Sequence, residues 1–499
     1  MQQIGQANID VSGKGGGQVF IRAGQFFMDG GTIFADNTGG NQHGLGIDID
    51  IQGDMRLQNS ARITAGAMPE LEENTRGGNI TIKAGKLELS GLDKEALMST
   101  LDKLKNVSPD ILRRVLLSQN YEISEQEATN LWNNFQQVVS EIPNPEHISI
   151  VLDKMDKKYT EPMLIFFLDF FNTIGTLNMG KGQAGNIQIE TPVLTISEGL
   201  IDSTTGGSGN AGNIDIQNAQ QITLKNNGFI RAATIQQSPE QGNVGKAGII
   251  TINANDNILL DNFSSISVVS ISSGDAGDIN LTANQLTLSR RGSINGYSRE
   301  TGKAGSINIT ANRVLMTNTG KGRGIYTEAT NAGGGNITIN SSGYLYLIDS
   351  HISSSVKSGL KDGGNITITP TFTILDNSQI FAKADEGRGG NIYIPITTKG
   401  VYYNDDNGYY RLPYQESSDE NPISASSRVG IDGDVNIEPP EENLDEKILR
   451  SSKKPLRAED ELKDRCAGLT RDDLSSFTIV IRDVFPESPL NLKTHYLFD

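Results

Sequence analysis

The sequence predicts an all-β solenoid, a right-handed parallel β-helix of about a dozen three-strand coils, with one inserted α-helical bundle and an irregular C-terminal tail. Three observations predict it. A short motif recurs at a nearly constant interval, apolar residues alternate within each repeat, and glycine is enriched without proline. The 499 residues include 55 Gly but only 16 Pro, and 6% are aromatic. That balance excludes collagen, argues against proline-rich disorder and suits a fold with many tight turns.

The motif is two small residues, usually Asn or Asp, and then alternating apolar residues. It reads Gly77-Gly78-Asn79-Ile80-Thr81-Ile82, then Ala184-Gly185-Asn186-Ile187-Gln188-Ile189, then Ala211-Gly212-Asn213-Ile214-Asp215-Ile216. Variants stand at Gly248, Gly277 and Gly305, and full copies return at Gly335-Asn336, Gly364-Asn365 and Gly390-Asn391. Weaker copies lie at Gly16-Gly17 and Gly46, and a last one at Gly433-Asp434-Val435-Asn436-Ile437. From Gly185 to Gly390 the second small residue recurs in steps of 27, 36, 29, 28, 30, 29 and 26. Intervals this regular mean stacked units, and they are short for a four-stranded propeller blade of ~40 residues.

Each unit holds three short strand signals, as in Asn186 to Glu190, Val193 to Ser197 and Leu200 to Thr204. Alternation sends Ile187, Ile189, Leu194 and Ile196 to one side and Gln188 and Thr195 to the other. No such strand buries its apolar face alone, so units stack at about 4.8 Å each into a rod on the order of 55 Å long. On this reading Gly78, Asn79, Gly185, Asn186, Gly212, Asn213, Gly335, Asn336, Gly364, Asn365, Gly390 and Asn391 are turn and ladder positions. Gly or Asn would tolerate a left-handed corner, and stacked Asn side chains would hydrogen-bond from coil to coil.

The repeat is interrupted once. Residues 92–179 are predicted to be a helical insertion between coils at 1–91 and main coils at 180–437, with 438–499 as a charged linker and C-terminal segment. Ser108-Pro109 reads as an N-cap followed by Pro at the first helical position. Ser124 with Glu127 reads as a capping box. Ala128, Leu131, Trp132, Phe135, Val138 and Val139 mark one apolar helix face. A further helix is predicted from Glu161-Pro162 through Phe171. Phe166, Phe167, Phe170 and Phe171 encircle it, so some serve the bundle core and others are free to dock on the rod's flank or on a partner. Phe166 and Phe170 are therefore candidate recognition residues. So are Tyr402 and Tyr409, which cluster with Tyr403, Tyr410 and Tyr414 in a polar loop where the repeat degrades. Pro439 to Asp464 reads as a charged linker or solvent-facing helix, and Phe477 to Ile481 as one short strand.

The net charge of −17 is a poor footprint for nucleic acid, which is bound by neutralising phosphates. An anionic membrane surface would also repel the chain. The most apolar run, Met163 to Phe171, is too short to span a bilayer, and residues 1–17 lack the pattern of a signal peptide. The single cysteine, Cys466, permits no intrachain disulfide and no thiolate cluster. Catalytic constellations are wanting. Asp48 and Asp50 share a strand face and Asp215 sits similarly in another unit, but no three acids follow in successive coils as β-helical polysaccharide lyases and hydrolases need. His43, His147, His351 and His495 fall in unrelated segments without metal-ligand spacing, and no phosphate loop occurs. Gly206 to Asn210 reads as a corner loop and not as a calcium-binding repeat. The sequons at Asn79, Asn308, Asn336 and Asn365 arise from the repeat and read as strand positions. No catalytic residue, cofactor or metal site is expected.

The coil motif resembles the repeats of cyanobacterial filamentous-haemagglutinin-like exoproteins of the two-partner secretion type. Ile423-Ser424-Ala425-Ser426-Ser427-Arg428-Val429-Gly430-Ile431-Asp432-Gly433-Asp434-Val435-Asn436-Ile437 looks like that family's closing coil. Cys466 followed by Ser475-Ser476-Phe477-Thr478-Ile479-Val480 looks like its C-terminal signature. The resemblance implies a secreted or surface-exposed adhesin, without enzymatic activity, that crosses the outer membrane through a partner transporter and meets cell surfaces or polysaccharide. The family's secretion domain and signal peptide have no counterpart here, so the chain is expected to be its C-terminal portion. Arg482-Asp483-Val484-Phe485-Pro486 stands where the family has a Gly-rich stretch. The rival expectations are a polysaccharide lyase or hydrolase and an unexported gene fragment.

Overall fold

The computed structural model describes residues 8–40, 43–68, 74–104, 107–118, 123–142, 145–156, 158–159, 163, 167, 171–235, 245–320, 323–395, 400–405, 408–411 and 423–437. Among the described residues, strand takes 51% and helix 12%. The named helices all fall between residues 94 and 154, so they interrupt the β body only once.

Two parallel sheets run through the repeats. One has 12 short strands, from Asn8–Asp10 to Ile423–Ser424, each beside its counterpart in the next repeat. The other is built on long strands such as Ile250–Asp261, Ile279–Ser289, Ile307–Thr317 and Ile337–Ile348. Like pairs with like: Ile279 faces Ile307 and Ile307 faces Ile337, always in parallel. The long strands merge the first two strands expected in each repeat, and a register shift near the middle marks the join. Proline separates the halves where they remain distinct. Pro192 lies between Ile187–Glu190 and Val193–Ser197, and both strands pair with Ile214–Lys225. Pro370 likewise divides Ile366–Thr369 from Phe372–Asp376. A proline offers no ladder N–H, so the bend is where one fits.

Alternation fills the space between the sheets. Ile187, Ile189, Leu194 and Ile196 are fully buried and Gln188 is exposed, as expected. The inward residues form one continuous apolar cluster from Val19 to Ala425. Truncating one of these Ile or Leu residues to Ala should cost about 2–5 kcal/mol, because rigid neighbours on both sides cannot collapse into the cavity.

The motif glycines have a different reason from the one expected. None of Gly78, Gly185, Gly212, Gly335, Gly364 or Gly390 adopts a left-handed backbone. They are needed because each stacks on the glycine of the preceding repeat. A Cβ on Gly185 would lie 1.8 Å from the Gly78 carbonyl oxygen, and one on Gly335 would lie 2.0 Å from that of Gly305. The motif asparagines hydrogen-bond from repeat to repeat, as expected. Their side chains bond to backbone and not to one another. Asn79 Oδ1 accepts the Asn186 N–H at 2.9 Å, and Asn186 Oδ1 accepts the Asn213 N–H at 2.8 Å. Asn213 caps Ile249 in the same way, and the chain of bonds breaks there because Ile offers no acceptor. It resumes for one step from Asp278 to Ser306, and then runs from Asn336 to Asn365, Asn391 and Asp434. Left-handed residues do occur, at the early motif copies Gly16 and Gly46 and, among non-glycines, mostly at the corner joining long strand to short strand. Asn226, Asn227, Asn262, Phe263, Arg290, Arg291, Asn318, Asp349 and Asn377 all have positive φ. Asn and Asp tolerate that region; Phe263 and Arg291 are held there by backbone bonds to Arg290 and Asn318.

The helical segment ends earlier than residue 179. Asn172–Asn178 is a strand of the short-strand sheet, pairing with Arg62–Thr64 and Gly199–Thr205. Its inward positions are Asn172, Ile174, Thr176 and Asn178, only one of them a large hydrophobe, so alternation could not announce it. The insertion therefore replaces a single left-handed corner. Asn172 closes the gap: its Nδ2 donates to the Ser90 carbonyl and its Oδ1 accepts the Ala61 N–H. Within the insertion, α1 is Lys94–Leu104, α2 Pro109–Ser118, α3 Glu125–Glu141 and α4 Ile148–Lys154. Ser108 Oγ accepts the Ile111 N–H, and both halves of the Ser124–Glu127 capping box form. The predicted α3 stripe is buried, and Met163, Phe167 and Phe171 join the same core. Among the described residues no helix is long and apolar enough to cross a membrane.

Tyr402 and Tyr409 lie in strands, not in an irregular loop. Gly400–Asp405 extends the long-strand sheet beside Phe372–Asp376 and turns back, antiparallel, into Gly408–Arg411. That hairpin register places Tyr402 opposite Arg411 and Tyr409 opposite Asn404. The segment resembling a closing coil stacks as the last described repeat, with Val435–Ile437 beside Ile392–Ile394. Tyr414, Cys466, His495 and the expected linker and strand beyond residue 437 lie outside the described residues.

Two outcomes are expected. Gly335→Ala should lower stability by about 3 kcal/mol through forced overpacking, read from the urea midpoint. Gly333→Ala, with nothing within 4 Å of the added Cβ, should change little. Acid should also loosen the stack. Burial pushes the Asp261 and Asp275 carboxyls up, but Arg290 and Ser289 around Asp261, and Lys303 and Lys246 around Asp275, outweigh it and hold both below the ordinary carboxylate range. A depressed folded pKa stabilises above the ordinary range, and the gain is lost as pH falls through the folded value. The thermal midpoint should therefore drop on acidification below about pH 4, and less steeply in the Asp261→Asn, Asp275→Asn double variant.

Candidate functional site

Two surfaces collect side chains that the core does not use. The first is the seat of the insertion. Phe171 stacks on Phe229, the first residue of the short strand Phe229–Thr234, with centroids 6.2 Å apart and planes 13° apart. One of the four ring positions expected to core the bundle or dock is thus spent on docking to the flank, and Phe167 is spent on the bundle core against Phe135 at 5.8 Å. Phe166 and Phe170 lie outside the described residues. Further along, burial and the nearby Lys225 charge hold the His147 pKa below its usual value. A cavity of about 380 Å³ remains where α4 meets the left-handed corner, lined by Ile150, Asp153 and Lys154 on one side and Phe263, Arg290 and Arg291 on the other.

The second surface is on the outer face of the short-strand sheet. The residue after each inward Ile of these strands points outward, and the parallel register aligns them. Tyr326, Ser353 and Phe381 follow one another in that row. His351 and Gln379 are paired in the row on one side; Glu328, Ser355 and Lys383 form the row on the other. Serine in both rows of the middle repeat lowers the floor between two rings whose strands are two spacings, about 9.6 Å, apart. The result is a cleft of about 250 Å³ lined by Arg323, Tyr326, Glu328, His351, Ser353, Gln379 and Phe381. Its walls are braced. His351 meets Phe381 edge-on at 6.3 Å, and Lys383 Nζ sits 4.1 Å from the Phe381 centroid. Glu328 pairs with Lys357 at 2.6 Å, and the Ser353 and Ser355 hydroxyls share a 2.9 Å hydrogen bond. The Arg323 guanidinium lies over the Phe263 ring at 5.7 Å. Among the described residues no carboxylate lies within ion-pairing distance of it.

The acids singled out in the sequence are dispersed. Asp48 is paired with Arg22 at 3.0 Å. Asp50 stands in register between Arg22 and Lys83. Asp215 shares the row of Asp48, but Thr81 and Gln188 stand between them, and it accepts a bond from Gln217. His43, His147 and His351 remain on separate elements. Among the described residues no three His, Cys, Asp or Glu side chains are grouped to hold a metal. The motif glycines and asparagines serve the backbone stack alone. The cleft was missed because no local motif marks it. Its signal is the outward position of the third strand compared across repeats: Asp202, Arg231, Ser267, Asn295, Tyr326, Ser353, Phe381.

Phe229→Ala should free the insertion from its seat. Limited proteolysis should then cut faster within residues 92–171, while the β signal in circular dichroism stays unchanged; equal cutting rates would refute the docking role of the ring pair. No protein-family model matches the chain, and neither a curated protein nor a solved structure matches it.

Proposed function

We propose that the two sheets wind together as a right-handed parallel β-helix, and that this rod is the shaft of a secreted or surface-exposed, non-enzymatic exoprotein of the filamentous-haemagglutinin-like kind. The observation that carries the reading is the one-repeat register, kept through every pairing between successive repeats and locked by glycines with no room for a Cβ. A stack of this kind is stabilised by nearest-neighbour contacts and can form unit by unit. That suits a chain that leaves the cell unfolded through an outer-membrane partner transporter and folds outside without disulfides. The insertion, which the rod does not need, and the outward cleft would be what the shaft presents to cells or polysaccharide. A polysaccharide-cleaving enzyme draws less support. Glu328 is the one carboxylate lining the cleft, and Lys357 neutralises it, whereas glycoside hydrolysis uses two.

Protease shaving of intact cells tests the location: the native chain should be degraded from outside, and protection of all of it in unbroken cells would reject a surface role. Replacing residues 92–171 by a two-residue Asn corner should leave a folded rod yet reduce adhesion of producing cells. Undiminished adhesion would remove the insertion from the recognition surface.

A further inference from the structure

We propose that the cleft between Tyr326 and Phe381 binds one acidic sugar ring, a uronate residue within a polysaccharide. The identification of a ligand class rests on the reading of the rod as a binding scaffold. Shape comes first. Two aromatic residues stand in register on either side of a serine floor, and 250 Å³ is below the ~300 Å³ at which pockets take drug-sized ligands. The space suits one saturated ring with apolar faces against the aromatic walls. Polar groups come second: the Ser353 hydroxyl and the Gln379 amide sit where ring hydroxyls would need partners.

Charge decides between a neutral and an acidic sugar. Arg323 lines the Tyr326 end of the cleft, its guanidinium lies over Phe263 on the side away from Phe381, and no described carboxylate pairs with it. Lys383 braces Phe381 and adds a second positive charge, while Glu328 is already offset by Lys357. A planar guanidinium matches a carboxylate in two hydrogen bonds. The chain's overall charge of −17 does not cancel this. Screening confines each charge to about 8–10 Å at physiological salt, so the local excess of cations governs a single ring. A long polyphosphate would meet the acidic remainder of the chain and is disfavoured.

Isothermal titration of the full chain with oligogalacturonate and with its methyl ester reads the proposal. The acid form should bind, weaken with added salt, and exceed the ester by about tenfold or more. Arg323→Gln should remove the preference for the acid, and Ser353→Phe, which fills the floor from the outside, should abolish binding with the thermal midpoint unchanged. Equal affinity for acid and ester, or binding indifferent to Ser353→Phe, would overturn the site. No binding of the acid form by the purified chain, with the chain exposed on intact cells, would refute the cleft and leave the shaft reading standing. Binding by the purified chain, together with no exposure on intact cells, would refute the shaft reading and leave the cleft.

Discussion

The architecture depends on one close approach: the backbone of each repeat runs directly over a carbonyl of the repeat before it. At Gly212, Gly248, Gly277 and Gly305 an added Cβ would fall within 2 Å of that carbonyl oxygen. Attraction between the sheets does not by itself set the register. A slip by one residue would turn every Ile outward, and a slip of the corner would drive a side chain into backbone. The glycine stack and the Ile rows thus exclude the same errors from two sides. The neighbouring Asn or Asp completes the corner by giving the next N–H an acceptor, which a strand would otherwise have supplied.

Such a stack makes the corners unequal. At the glycine itself no side chain is admitted, because one added there meets the repeat before it; length on that side varies only upstream of the motif, as in the 36-residue step from Gly212 to Gly248. The opposite corner, between long and short strands, turns through left-handed residues and opens outward. The 80-odd residues between Ser90 and Asn172 leave there and return without breaking either sheet. Asn172 needs only to bond Ser90 and Ala61 to restore the stack. The insertion then buries its own apolar core, separate from that of the β body, and leans on that body through Phe171 and Phe229.

Much of this fold was legible because the period is written in residue types that have one stable arrangement. Ile and Leu at every second position, with Gly-Asn before them, read correctly down to which of Ile187 and Gln188 is buried. The capping box at Ser124 was equally plain, since its bonds are local. What could not be read was whatever depends on a neighbour in another repeat. The role of Gly185 is invisible without Gly78 beneath it. Asn172–Asn178 hid because buried polar side chains, such as Thr176 bonded to the Gly185 carbonyl, do the work of hydrophobes. Tyr402 looked like a loop residue because the segments beside its hairpin carry no motif. The cleft stayed out of sight because Tyr326, Ser353 and Phe381 are far apart in sequence and none is unusual alone.

Both candidate surfaces border the permissive corner. In most repeats that corner is crossed in two or three residues, as at Asn262, Phe263 and Ser264. Between Ile307–Thr317 and Ile325–Ala329 it takes residues 318–324, with Gly320 and Gly324 in left-handed conformations. The added length lets Arg323 reach back over Phe263, whose ring is already covered by Arg291 at 4.7 Å. Phe263 in turn lines the cavity under α4. A single ring therefore separates the seat of the insertion from the cationic rim of the cleft. Extra residues at one class of corner supply the insertion and Arg323, and the core residues behind them keep their register. A parallel stack of this design can change what it presents at its corners and on its outward rows, one repeat at a time, without disturbing the contacts that hold it together.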